Sequence, residues 1–165
     1  MYHSMIRQLF QKSGRGFTLI EILIVIGIIA ILAAIVIIAI NPAKQFAQAR
    51  NTQREAAVNS ILNAIGQRIA DNKGVFAGSF SSGTYTCPTL PTGPTPILSG
   101  TGTGVDLSCL VPTYISVLPV DPTAPAGIDT GYTVSVSTTG RVTVAAPNAV
   151  TETAIPDAPA ISVTR

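Results

Sequence analysis

The order of apolar and polar positions divides the chain into stretches with different periods. From Phe17 to Ile40 it reads FTLIEILIVIGIIAILAAIVIIAI, interrupted by a single acid, Glu21. The nineteen residues from Ile22 to Ile40 carry no charge. As a helix they extend about 28 Å at ~1.5 Å per residue, which matches the ~30 Å hydrocarbon core of a bilayer. The run stops at Asn41-Pro42, because proline disfavours helical geometry in the residue before it and removes one ladder hydrogen bond. A helix either kinks at Pro42 or restarts there, with Asn41 as cap and Pro42 in the first turn. The pattern beyond is again helical, so a kinked continuation is expected. Val58, Ile61, Leu62, Ile65 and Ile69 form one stripe at i, i+3, i+4, i+7 spacing. Arg50, Arg54, Glu55, Asn59, Asn63 and Arg68 take the remaining surface, and Lys73-Gly74 supplies a stop. The expectation is one long helix over 17–73, hydrophobic all round at first and amphipathic afterwards. The sustained 3.5-residue repeat of a coiled-coil stalk is missing.

The last third changes period. Tyr132-Thr133-Val134-Ser135-Val136-Ser137 alternates, Thr138-Thr139-Gly140 turns, and Arg141-Val142-Thr143-Val144 alternates again, the signature of a β-hairpin. Ala160-Ile161-Ser162-Val163 supplies a further strand. Three or so antiparallel strands with one apolar face need a cover, and the stripe from Val58 to Ile69 provides it. The fold class is therefore α+β: a long N-terminal helix whose second half packs on a small antiparallel sheet. Between the two lies Ser79 to Gly104, in which eleven of 26 residues are Ser or Thr and Pro88, Pro91, Pro94 and Pro96 interrupt any regular element. It is expected to lie over the surface as a long loop. Gly100-Thr101-Gly102-Thr103-Gly104 within it lacks the fourth position, the leading strand and the following helix of a dinucleotide-binding turn, and reads as a flexible loop.

Composition sharpens this division. The chain is 47% apolar and only 11% charged, without Trp, but Ile and Leu crowd into 19–40. One end belongs in lipid or protein and the other in water. Net charge is +2; residues 1–16 hold Arg7, Lys12 and Arg15 and no acid, and without them seven basic side chains face eight acidic ones. That is no electrostatic footprint for nucleic acid. Basic residues just before the span hold the N-terminus in the cytoplasm and send the rest outward. A secretory signal has an apolar region of only ~7–15 residues closed by a small-residue cleavage site, which this run exceeds. A plain signal anchor fits length and charge but leaves Glu21 unexplained. A carboxylate within a membrane helix costs about 2.5–3.5 kcal/mol, less near the interface, and asks for a partner.

Gly16-Phe17-Thr18-Leu19-Ile20-Glu21, preceded by a short basic leader and followed by an unbroken apolar helix, resembles the cleavage and methylation motif of type IV pilins and pseudopilins. The resemblance covers roughly residues 12–50. It implies that a dedicated prepilin peptidase cuts between Gly16 and Phe17 on the cytoplasmic side and methylates the Phe17 amine. It also implies that Glu21 partners the amine of a neighbouring subunit entering a filament. An α-amine is largely cationic near neutrality, with an ordinary pKa of about 7.7–8.0. Two opposite charges taken into a low-dielectric core are tolerable as a pair and costly singly, so an acid at a fixed offset from the new N-terminus favours one stagger between subunits. The domain organisation expected is a cleaved leader at 1–16, a membrane and filament-core helix at 17–40, its amphipathic continuation at 41–74, and a head at 75–165. Further partners implied are copies of the chain itself, assembly machinery in the inner membrane, and lipid before assembly.

In an extracytoplasmic chain with two cysteines, a Cys87–Cys109 disulfide is the default, and its 23-residue loop contributes about 3 kcal/mol in the chain-entropy model. With no histidine beyond His3, the two cysteines cannot complete a zinc shell, and Ser-His and Cys-His catalysis is excluded from the processed chain. There is no N-x-[ST] sequon. Major pseudopilins of type II secretion resemble this chain and hold calcium beside their C-terminal strands. Leu118-Pro119-Val120-Asp121-Pro122 is similar to the start of that region, but Thr123-Ala124-Pro125-Ala126-Gly127 replaces the Trp-Gly turn that should follow. Asp106, Asp121 and Asp129 are accordingly weak calcium candidates, since scattered acids are usually solvated loop residues. The functional reading is a non-enzymatic filament subunit. The alternatives are a pseudopilin of a short periplasmic pseudopilus and a membrane-anchored adhesin or binding module.

Overall fold

The structure is a computed structural model describing residues 16–79 and 86–165. The basic leader, with His3, Arg7, Lys12 and Arg15, and residues 80–85 of the Ser/Thr-rich stretch lie outside the described residues. The chain divides into two compact units, one ending at Pro42 and one running from Ala43 to Arg165.

In the first unit, helix α1 spans Leu19–Ile40. Thr18 caps it from an extended conformation, its Oγ1 accepting the Glu21 N–H at 3.2 Å. Thr-x-x-Glu is the order of a capping box. Every large apolar side chain of α1 is at least 46% exposed, and none of its residues is buried.

The helix does not run on through Pro42. Asn41 adopts the left-handed conformation, φ 46° and ψ 77°, and helix α2 restarts as Pro42–Asp71. The kinked continuation is thereby corrected to a restart. Proline bars αR geometry from the preceding residue, asparagine tolerates αL, and proline suits the first turn, where its missing N–H is not needed. At the far end Lys73 takes the left-handed position (φ 55°) and the Gly74 N–H returns to the Ile69 carbonyl at 2.8 Å. That bond is the outer one of a Schellman cap.

In the second unit α2 lies on a five-stranded sheet. Its strands are β3 (Thr95–Leu98), β4 (Val105–Asp106), β5 (Asp129–Val136), β6 (Val142–Ala146) and β7 (Ile161–Thr164), in spatial order β4-β3-β5-β6-β7. The β5–β6 hairpin closes as expected, Val136 opposite Val142, with the Gly140 N–H donating to the Ser137 carbonyl. Tyr132, Val134, Val142, Val144 and Ile161 point inward and meet Val58, Ile61, Leu62 and Ile65 of α2. A two-residue ladder, β1 (Gly78–Ser79) with β2 (Thr86–Cys87), stands apart.

The Ser/Thr/Pro-rich stretch is not wholly a surface loop. Thr95–Leu98 pairs antiparallel with β5 and parallel with β4, burying Ile97 and Leu98. Pro96 is tolerated because β4 pairs only with Ile97 and Leu98, which leaves Pro96 at a sheet edge where no donor is required. The glycine run is also packed. A Cβ on Gly104 would sit 2.6 Å from the Pro96 carbonyl oxygen, so glycine permits the approach of β4.

Candidate functional site

The sequence-assigned assembly residues sit together at the start of α1. Gly16 and Phe17 are non-helical and exposed, Phe17 at 78%, so the bond between them precedes the first helical turn. Glu21 is exposed within that turn, one helical turn past the Thr18 cap. A carboxylate here is favourably placed against the positive end of the helix dipole.

A second site was not expected. Arg54 lies on the core side of α2 with its side chain fully buried, and Arg68 is 3% exposed. Both were assigned to the solvent face. Residues 47, 51, 54, 58, 61, 65 and 68 in fact continue a single stripe at three- and four-residue steps. Burying a guanidinium demands compensation, and three segments supply it. Arg54 Nε and Nη2 donate to the two Asp121 carboxylate oxygens at 2.6 and 3.1 Å, Nη1 donates to Glu152 Oε1 at 2.6 Å and to Asn51 Oδ1 at 2.7 Å, and Nη2 also reaches Thr123 Oγ1 at 2.9 Å. Arg50, one turn earlier, holds the other side of Glu152 with Nε to Oε1 at 2.8 Å and Nη2 to Oε2 at 2.5 Å.

Burial pushes the Asp121 carboxyl up, but hydrogen bonds from Arg54 and from the side chain and backbone of Thr123 outweigh it and bring it down to about 2. The Arg50 hydrogen bond, opposed by burial and helped by Arg54, lowers Glu152 to about 2. The Arg54 guanidinium is held charged, chiefly by its hydrogen bond to Asp121. Nearby, the Tyr132 hydroxyl is buried without a hydrogen-bond partner among the described residues, and burial, then the Asp121 charge, raises it to about 12.

This network accounts for one calcium candidate, because the Asp121 oxygens face Arg54 and Thr123. The other two serve local turns: Asp106 Oδ1 accepts the Ser108 N–H at 2.9 Å and Asp129 Oδ1 accepts the Gly131 N–H at 2.9 Å. Among the described residues no group of three metal-ligating side chains converges, so Asp106, Asp121 and Asp129 are not brought together. The cysteines are. Cys87 of β2 and Cys109, in a 3-10 turn at Ser108–Leu110, form a disulfide with Cα atoms 5.4 Å apart, both buried in the core.

A groove of about 530 Å³ runs between α2 and the β5–β6 turn, walled by Leu62, Ile65, Ile69 and Val142. On its rim the Arg165 guanidinium donates to Asn63 Oδ1, and no nucleophile–base pair faces it among the described residues lining it. The arginine network was legible in one respect only: Arg54 falls on the stripe that Val58, Ile61 and Ile65 define.

Residues 11–39 match the family model described as the prokaryotic N-terminal methylation motif, the leader signature of type IV pilins and pseudopilins. No curated protein and no solved structure matches the chain.

Proposed function

We propose that this chain, which carries the prepilin-type leader signature, is a structural subunit of a type IV pilus. A prepilin peptidase cuts between Gly16 and Phe17 and methylates the new amine. The subunit waits as a single span, N-terminus inside and head outside, and then polymerises through α1. The observation that carries this reading is α1 itself, a 22-residue helix that is apolar apart from Glu21 in its first turn, has no buried residue and lies almost wholly within the residues that match the motif. Such a surface is stable only in lipid or among other apolar helices. Transfer from the first environment to the second costs little apolar hydration, since lipid tails and packed side chains are similarly apolar. The polar step is Glu21. Paired with the Phe17 amine of a neighbour it enters the filament core as half of an ion pair, whereas out of register it enters as a lone charge.

The test is intact-mass and N-terminal peptide analysis of the protein from its native membrane. The expected chain starts at Phe17 and carries one added methyl; a chain starting at Met1, or cut beyond Ile40, overturns the proposal. Glu21→Val is expected to be processed normally yet absent from the sheared filament fraction. The same leader serves a pseudopilus, and filament length on cells separates the two: long surface fibres support the pilus, and short periplasmic ones the pseudopilus.

A further inference from the structure

Phe46 is the only aromatic residue of α2 and is 67% exposed, although its neighbour Ala47 is fully buried. It occupies a distinctive position along the chain. Ile40 ends the apolar span, and only Asn41 and one helical turn separate it from Phe46. Two Cα steps of ~3.8 Å and four helical rises of ~1.5 Å keep Phe46 within about 14 Å of the end of the span, however the helices are aimed. Side chains in a helix lean toward its N-terminus, which brings the ring closer still. The headgroup layer begins where the span ends and is about 5–8 Å deep.

Among the described residues from Ala43 to Arg165, the other exposed large apolar side chains are Val75, Val117, Val120, Ile128 and Val150. Val120 adjoins Asp121 and Val150 lies two residues from Glu152, and those acids are clamped to Arg54 and Arg50. The two valines are thus neighbours in sequence of acids held on α2 one to two turns past Phe46.

We infer that, before assembly, Phe46 docks the first turn of α2 into the lipid headgroup layer, a second membrane contact for the head besides the span. This rests on the proposed membrane-anchored precursor. The partner is lipid because the chain tethers Phe46 within about 14 Å of the end of the span, which puts the headgroup layer in its reach without a second molecule. A partly apolar helix in the interface buries its apolar side some 5–10 Å into the headgroup and acyl boundary. The inference also explains why an aromatic ring stands on a helix whose other exposed positions after Pro42 are polar or alanine over its first three turns.

The protein has no Trp, so Phe46→Trp installs a single reporter at an exposed site. Val75→Trp is its control, beyond the other end of α2, whose Phe46–Asp71 portion spans about 38 Å. Both are reconstituted as full chains in vesicles of phosphatidylethanolamine and phosphatidylglycerol. Carbonate-resistant attachment shows that α1 is inserted, so a failure of anchoring is read separately from a failure of docking. The expected result is blue-shifted F46W emission, quenched by lipids brominated near the headgroup and shielded from aqueous iodide, with V75W showing the reverse. F46W emission that is iodide-quenched like that of V75W, in chains that remain carbonate-resistant, overturns the inference. So does shielding that vanishes when the protein is diluted in lipid, which would assign Phe46 to a second copy.

Discussion

Arg54 and Asp121, 67 residues apart in sequence, meet in a two-point ion pair of 2.6 and 3.1 Å with both side chains fully buried. Glu152 closes the same guanidinium from a third segment. The head is thus bolted to α2 by charge at the level of Arg54 and by apolar packing from Val58 onward. Replacing one partner strands the other in a dry site, which costs about 3–5 kcal/mol. Arg54→Met is expected to lower stability by that amount in denaturant unfolding of the detergent-solubilised protein. The double change Arg54→Met with Asp121→Leu is expected to cost less than the sum of the single changes, and strict additivity would show that the pair is not coupled.

The same acids set the acid limit. Asp121 and Glu152 fall from ordinary values of 3.8 and 4.5 to about 2 on folding. The folded chain thus releases these protons more readily than the unfolded one. Their contribution is complete above about pH 4.5 and is lost as pH drops through about 2. Tyr132 works in the opposite sense: its rise from 10.0 to about 12 favours folding below pH 10 and is lost between 10 and 12. The melting temperature is expected to be level from pH 5 to 9 and to decline at both ends; a decline beginning near pH 6 would contradict this assignment.

Gly131 has φ 77°, and a Cβ there would stand 2.7 Å from the Asp121 Cβ. Gly131→Ala combines left-handed strain of about 1–2 kcal/mol with displacement of a network acid. A loss of about 2–3 kcal/mol is expected, against almost none for Gly93→Ala, where the same methyl group meets no atom within 4 Å.

Cys87 and Cys109 close the segment that carries β3. The double change to serine is expected to destabilise the head by about 3 kcal/mol, read as a lower unfolding midpoint. Mass analysis of the non-reduced wild-type chain should show one cross-linked peptide pair.

Much of the fold was legible because its signals are local. The membrane-length helix is written in consecutive residues from Leu19 to Ile40. The hairpin is written in the two-residue alternation either side of Thr138-Thr139-Gly140, and the Thr18 cap could have been read from Thr-x-x-Glu. The break at Asn41-Pro42 was located correctly but not its form, because proline is compatible with both a kink and a restart. That choice fell to the left-handed backbone of Asn41.

What the sequence determined by itself, then, was each feature that a helix or strand period expresses within a dozen residues: the apolar span, the amphipathic stripe and the hairpin, together with the short motif before the span. Only the tertiary structure decided that Thr95–Leu98 is a strand, since a proline-bearing segment becomes one only when β5 offers it an edge. It also decided that Arg54 is buried and that Asp121 and Glu152 are its partners. A charged residue counts as exposed in any local reading, because water is its cheapest partner. That preference reverses only when acids distant in the chain converge on it, and no window of sequence contains that convergence.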